Sequence, residues 1–367
     1  MKPDWYLVND TDDLVSPSLL VYPERIQSNI ALMIAMAGGV DSLRPHIKTH
    51  KIAEIIQLQQ EAGVYKFKCA TIAEAELLGM CKAKDVLLAM QPVGAQMARF
   101  IQLIKKYPGT QFSTLVDNEL TFQKLSSLAR KERFILHLYI DINNGMNRTG
   151  IAIGNEAKRL FLAMQDDENI QVKGLHVYDG HIRDIAIEAR TKRCNQGFEA
   201  VDSFRNNLKS AGISNCDIVL GGSPTFSIHC KREDVETSPG TTLLWDAGYA
   251  KYKDLSFLPA AVLFTRVISM PTAQNVCFDL GHKSVASEMP FPRVEFLTEV
   301  NGKQLSQSEE HLIVEHKENS IQIGDVAYAL PIHICPTVAK YPSVKVVEKN
   351  KIIGSWKVAA RDHKINI

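Results

Sequence analysis

Short apolar runs alternate with amphipathic stretches along the first two thirds of the chain. The runs are SLLVY (18–22), LRPHIK (43–48), KFKCAT (66–71), DVLLAM (85–90), FSTLVD (112–117), RFILHLYID (133–141), VKGLHVYDG (172–180) and CDIVLGGS (216–223). Between them lie stretches such as KIAEIIQLQQEAG, AQMARFIQLIKKY and NELTFQKLSSLARK, whose apolar residues recur at helical spacing. The runs are near-continuously apolar, as expected of strands covered on both faces. Strand–helix alternation of this kind predicts βαβ units. Eight units predict an α/β fold closed as a (β/α)8 TIM-type barrel in preference to an open, doubly wound sheet.

Beyond about residue 250 the texture changes. AAVLFTRVISMP, AQNVCFDLG, HLIVEH, DVAYALPI, VKVVEK and KIIGSWKVAA are strand-like segments without long helical partners. The expected organisation is a barrel over 16–250 followed by a C-terminal β domain over 251–367, with residues 1–15 a candidate addition to the latter. A length of 367 residues agrees with two domains at ~150 residues each.

Charge changes the picture only by exclusion. Lys and Arg total 42 against 41 Asp and Glu, for a formal charge of +1. That balance lacks the basic surplus of a nucleic-acid binder. Seven cysteines, at 69, 81, 194, 216, 230, 277 and 335, form an odd set with no CxxC pair. They suit a reducing compartment better than a disulfide framework. The start MKPDWYLVNDTDD is too polar for a secretory signal, and no run of 18 apolar residues occurs. The expectation is a cytoplasmic protein with no membrane and no nucleic-acid partner.

Catalytic groups of a barrel stand at the C-terminal ends of its strands. Arg44-Pro45-His46-Ile47-Lys48-Thr49-His50-Lys51, ending the second run, crowds cations together. Crowding makes a lysine easier to deprotonate, hence a candidate nucleophile toward a carbonyl; the competing reading is a solvated basic loop. Gly221-Gly222-Ser223-Pro224-Thr225, after the eighth run, offers backbone N–H groups and hydroxyls to an anion, against the reading of a plain turn. Asn144-Gly145-Met146-Asn147-Arg148-Thr149-Gly150 brings one arginine toward the barrel mouth, or exposes it in a hairpin-like loop. In His176-Val177-Tyr178-Asp179-Gly180-His181, Tyr178 or His181 is placed to touch a ring and Asp179 to orient either; rim packing is the alternative. His333 and Cys335, in Pro331-Ile332-His333-Ile334-Cys335-Pro336-Thr337, share one face of a strand. Together they are candidate N/S ligands for Zn²⁺, or a buried cysteine beside a satisfied histidine.

RPHIKTHK, GMNRTG, HVYDGH, GGSPT and PIHICPT in this order resemble the D-threonine aldolase/D-serine dehydratase family of alanine-racemase-like, fold type III enzymes. The resemblance spans about residues 15–340. It implies pyridoxal 5′-phosphate (PLP) as cofactor, bound covalently by Lys48, with His46, Arg148 and Tyr178 around its ring. Gly221, Gly222, Ser223 and Thr225 would hold its phosphate, together with Gly240 and Thr241 of SPGTT. His333 and Cys335 would bind a divalent metal, taken as Zn²⁺. The implied reaction is a lyase reaction on D-3-hydroxy-amino acids, with D-serine dehydration to pyruvate and ammonia put first, because the family's dehydratases carry Cys at position 335 where its aldolases carry Asp. The HVYDGH stretch looks more like the aldolase branch. D-threonine aldol cleavage, a racemase using Tyr249 or Tyr328 as second base, and a non-catalytic PLP-binding protein are the alternatives. The resemblance also implies a homodimer.

Overall fold

The computed structural model describes residues 4–213, 215–300, 302–316 and 321–367. The chain divides into two compact units: Met33–Lys48, Ile56–Gly240 and Asp362–Ile367 form a barrel unit, and Met1–Leu32, Thr49–Ile55 and Thr241–Arg361 form a β unit. Among the described residues no helix is long and apolar enough to cross a membrane.

The barrel unit is a parallel sheet whose strand order is its chain order. It runs from β2 (Lys66–Cys69) through β3 (Asp85–Leu88), β4 (Gln111–Val116), β5 (Leu136–Ile142), β6 (Ile170–Val177) and β7 (Asp217–Leu220) to β8 (Glu236–Thr237). The parallel bridges Leu43↔Thr237 and His46↔Lys68 place segment 43–46 between β8 and β2 and complete the ring. Helices of 9 to 24 residues link most strands, among them α3 (Ile72–Met80), α5 (Glu119–Glu132) and α7 (Ile187–Ser210). Thr71 and Asn118 cap the first two by accepting from Glu74 N–H and Thr121 N–H, which fixes where each strand hands over to its helix. Leu87, Leu115, Tyr139 and Val219 pack together inside the ring. At the strands' N-terminal ends the buried Arg44 guanidinium grips both Asp85 oxygens (2.6 and 3.2 Å) and Glu236 (2.6 Å), which also takes Lys66 Nζ at 2.5 Å. This face of a barrel serves stability.

The expected α/β barrel plus β domain is the observed architecture, but two staves differ from the sequence reading. The run at 18–22 is not the first barrel strand. As β1 (Ser18–Val21) it pairs antiparallel with β9 (Ala261–Thr272) and parallel with β15 (Ser343–Glu348) in the β unit. A short apolar run shows that a strand is buried but not which partner buries it. The barrel's last stave is instead Glu236–Thr237, too short to register as a hydrophobic run. Every barrel strand therefore counts one lower than expected. Segment 43–48 also leaves the extended state early: Pro45 has no N–H for a continuous ladder, and Ile47–Thr49 closes into a 3-10 turn.

In the β unit the sheet path is β12 (Gln304–Gln307), β13 (Leu312–Glu315), β10 (Asn275–Phe278), β9, β1, β15, β16 (Lys351–Lys357), with β14 (Val326–Pro331) joining β9 to β11 (Val294–Phe296). Tyr6, Val8, Leu20, Phe264, Tyr328 and Leu330 belong to its core. The Tyr328 hydroxyl accepts from Val8 N–H at 3.2 Å inside that core, which is a packing role.

Candidate active site

Segment 43–46, β2, β5 and β6 deliver a ring of polar side chains to a cavity of about 390 Å³ in the barrel unit. Lys48, Lys68, Asp141, Arg148, His176 and Tyr178 line it. All stand in or just beyond the C-terminal halves of their strands, the end at which barrels carry chemistry. The Tyr178 ring is the common reference. Lys48 Nζ lies 5.6 Å from its centroid, Lys68 Nζ 5.9 Å and the Arg148 guanidinium carbon 4.9 Å. His46 positions Lys48 by accepting its backbone N–H at Nδ1 (3.2 Å). Arg148 rides on a loop in which Asn143 Oδ1 accepts from Gly145 and Asn147 N–H, while Gly150 N–H is held by Asp117.

Lys68, Asp141 and the inward-facing His176 form a chain that the sequence reading did not single out as site residues. His176 Nδ1 donates to Asp141 Oδ1 at 2.7 Å, leaving Nε2 to face Lys68 Nζ at 3.5 Å. Burial, reinforced by the Lys48 charge, pushes the Lys68 ammonium down to about 7. Burial and then Lys68 also lower His176. Burial works against the charge on Asp141, but the His176 hydrogen bond outweighs it and the carboxyl is lowered.

The glycine turn after β7 is built from behind. Gly221 adopts φ +72°, a left-handed conformation that glycine tolerates. Gly222 N–H donates to Thr225 Oγ1 (3.3 Å), which donates to Asp179 Oδ1 (3.0 Å). Arg232 Nε donates to His229 Nδ1 (3.0 Å), so His229 Nε2 carries the proton given to Asp179 Oδ2 (2.8 Å). Asp179 thus anchors the turn and does not face the cavity ring. Asp179, Cys194 and His229 offer three ligand atoms within 4.8 Å of one another, but Arg232 occupies the far side of His229 and the hydrogen bonds account for the cluster without a cation. Ser223 Oγ accepts from Gly240 N–H at 3.0 Å, joining the two segments expected at a phosphate.

These residues fit a ring-bearing phosphate ester. The cavity offers an aromatic face and three cations. A β-carbon on Gly222 would sit 3.1 Å from Tyr178 Cε2, close enough that the ring would have to give by a few tenths of an ångström. Ser238 Oγ, at the end of β8, is buried without a partner among the described residues. Asp179→Asn is expected to weaken PLP binding about 10-fold, the effect of losing one buried hydrogen bond of ~1.4 kcal/mol, as read by fluorescence titration of the PLP-free protein.

The second expected site lies in the β unit. His333 and Cys335 are not on a strand: β14 ends at Pro331, and His333 is the cap residue of α9 (Ile334–Val338). Asp246 Oδ2 accepts Ile334 N–H at 3.0 Å and starts that turn. The two side chains are still neighbours, each acting on the other's proton affinity. Burial opposes charge on both, but their mutual interaction wins: His333 is raised to about 9, with help from Glu288, and Cys335 is lowered. Glu288 Oε1 holds His333 Nδ1 at 2.5 Å, and the hydroxyls of Thr49 and Thr241 lie 3.2 and 3.5 Å from Cys335 Sγ. Thr241, expected at the phosphate, therefore touches the sulfur. A thiolate beside an imidazole whose other nitrogen is tied to a carboxylate is a donor set that suits Zn²⁺. Glu288 carries no sequence signal, being 45 residues from His333.

Comparison with known proteins covers most of the chain. Residues 21–246 match the family model described as "Alanine racemase, N-terminal domain", and residues 260–347 the one described as "Putative serine dehydratase domain". The chain is 26% identical to a D-threonine aldolase of an Arthrobacter species, covering 94% of this chain and 92% of that one. It is 22% identical to the D-threo-3-hydroxyaspartate dehydratase of a Delftia species, with 94% and 97% covered. The crystal structure of D-threonine aldolase from Filomicrobium marinum shares the fold at a TM-score of 0.86 and 23% identity, covering 98% of this chain and 99% of that one.

Proposed function

The chain belongs to the alanine racemase N-terminal domain family, and on that premise we propose that it is a PLP- and metal-dependent lyase acting on free D-3-hydroxy-amino acids. We put dehydration first: D-serine to pyruvate and ammonia. The observation that carries this reading is the preformed His333–Cys335 pair backed by Glu288. A racemase or a simple PLP carrier has no use for a metal-donor set, and a sulfur ligand selects zinc where a carboxylate admits Mn²⁺ or Mg²⁺.

PLP, when bound, supplies the electron sink for charge developing on the substrate's α-carbon. Lys48 holds the cofactor and then, as a free amine, takes the α-proton. Arg148 and Tyr178 hold the ring, and the turn at 221–225 with Gly240 holds the phosphate. His333 and Cys335 would hold a Zn²⁺ that supplies Lewis acidity toward the β-hydroxyl. A racemase needs a second base on the opposite face, and Tyr328, one of two candidates, is committed to the core through Val8.

The same reading makes the enzyme a cytoplasmic homodimer. Seven free cysteines suit a reducing compartment. A coupled assay separates the chemistries. D-serine should yield pyruvate; glycine and acetaldehyde from D-threonine, with no pyruvate from D-serine, would move the assignment to the aldolase. Conversion of D- to L-alanine in the presence of a chelator would move it to the racemase.

A further inference from the structure

Lys68 is a buried ammonium with little to satisfy it. It is 2% exposed, it sits in the interior-facing register of β2, and it lines the same cavity as Lys48. Among the described residues no carboxylate lies within 4 Å of its Nζ, and its hydrogen bond to His176 Nε2 is long at 3.5 Å. The nearby acids are committed elsewhere: Asp141 to His176, and Asp179 to Thr225 and His229. The other groups around it are Lys48 from the 47–49 turn, Arg44 and His46 from segment 43–46, Arg148 from the loop after β5, Tyr178 after β6, and Asp117 after β4, which already accepts from Gly150 N–H and Asn118. Burying an unpaired ammonium is costly unless an anion joins it or it gives up its proton. The cavity therefore has a place for one negative oxygen beside Lys48.

Resting on the lyase reading above, we propose that Lys68 is an oxyanion anchor: it pairs with a single negative oxygen of the cavity's occupant, next to the cofactor-binding lysine. Two sources share that chemistry, the phenolate oxygen of PLP and the carboxylate of the amino-acid substrate. With no occupant the His176–Asp141 pair supports Lys68 as a neutral amine, in keeping with its lowered proton affinity. When the anion arrives, Lys68 takes up a proton and the pair forms.

Two readouts other than turnover test this on the full-length protein, its Lys68→Met variant and its Lys68→Arg variant. The first is thermal unfolding of the PLP-free protein against pH. A buried lysine whose folded value lies near 7 and whose unfolded value lies near ~10.4 destabilises fully below pH 7, and this effect fades as pH rises through that window. Lys68→Met should therefore unfold at higher temperature than wild type at pH 6–7, with the gap closing toward about pH 10. A variant less stable than wild type by the same amount at every pH would make Lys68 a structural strut and overturn the proposal.

The second is proton uptake at pH 8, from titration calorimetry in two buffers of different ionisation enthalpy. PLP is titrated into PLP-free protein, then D-alanine, which lacks a β-hydroxyl, into the PLP-loaded protein. Wild type and Lys68→Arg should differ in uptake, and wild type should take up about one proton more than Lys68→Met in one of the arms. An excess in the PLP arm identifies the phenolate oxygen, and an excess in the D-alanine arm the carboxylate. Equal uptake by wild type and Lys68→Met in both arms overturns the anchor while leaving the lyase intact. Failure of wild type to bind PLP at all would instead remove the lyase reading on which the anchor rests.

Discussion

Lys48→Ala is expected to purify without the visible absorbance of a lysine-bound PLP and to lose lyase activity by ~10³-fold or more, the upper range for a positioned acid–base group. The loss would be double, because in the proposed mechanism the amine both holds the cofactor and moves the α-proton. Stability should change by less than ~0.5 kcal/mol, since Lys48 is only half-buried at a cavity wall and, among the described residues, forms no ion pair. The competing outcome is specific. Lys68 Nζ is nearly as close to the Tyr178 ring as Lys48 Nζ, at 5.9 against 5.6 Å, and its proton affinity is lowered to about 7. Retention of the absorbance band in Lys48→Ala, with loss of it in Lys68→Met, would reverse the two roles.

Cys335→Ala is expected to purify with little bound zinc and to lose ~10²–10³-fold in kcat/KM, because a Lewis-acid metal contributes several kcal/mol at ~1.4 kcal/mol per tenfold. The variant should also resemble chelator-treated wild type, and adding chelator to it should change nothing further. Glu288→Gln, which keeps the hydrogen bond to His333 but removes the charge, should cost less: ~10–100-fold in metal affinity, the usual effect of a carboxylate behind a ligating histidine. Metal content by atomic emission and steady-state rates on D-serine check both. Full activity in Cys335→Ala under chelator would remove the metal from the mechanism.

What was readable in the sequence followed from local physics. Six of the apolar runs from 66 to 223 are barrel strands because burial on both faces leaves them few polar positions to show. The strand at 18–21 belongs to the β unit and not to the barrel, which its run does not show, because three buried residues in a row carry no record of their partner. Glu236–Thr237 escaped notice because a two-residue stave has no periodicity. His333 and Cys335 were visible as a pair from spacing alone, though for a reason that does not hold: they meet at a helix start, where Asp246 captures Ile334 N–H, and not on a strand face. Lys68 left a fainter trace. In KFKCAT it is a charge on an otherwise apolar strand, and only the ring closure that brings β2 beside segment 43–46 and opposite His176 shows that it points inward. Asp141 likewise ends an apolar run, and its role appears only once β6 lies next to β5.

The most direct measurement is the identity of the lysine that carries the cofactor. PLP-loaded protein is reduced with borohydride, digested and mapped by mass spectrometry for the pyridoxyl adduct. The adduct is expected on Lys48 alone, with Lys68 unmodified. An adduct on Lys68, or none on either residue in a protein that nonetheless turns over D-serine, would contradict the assignment.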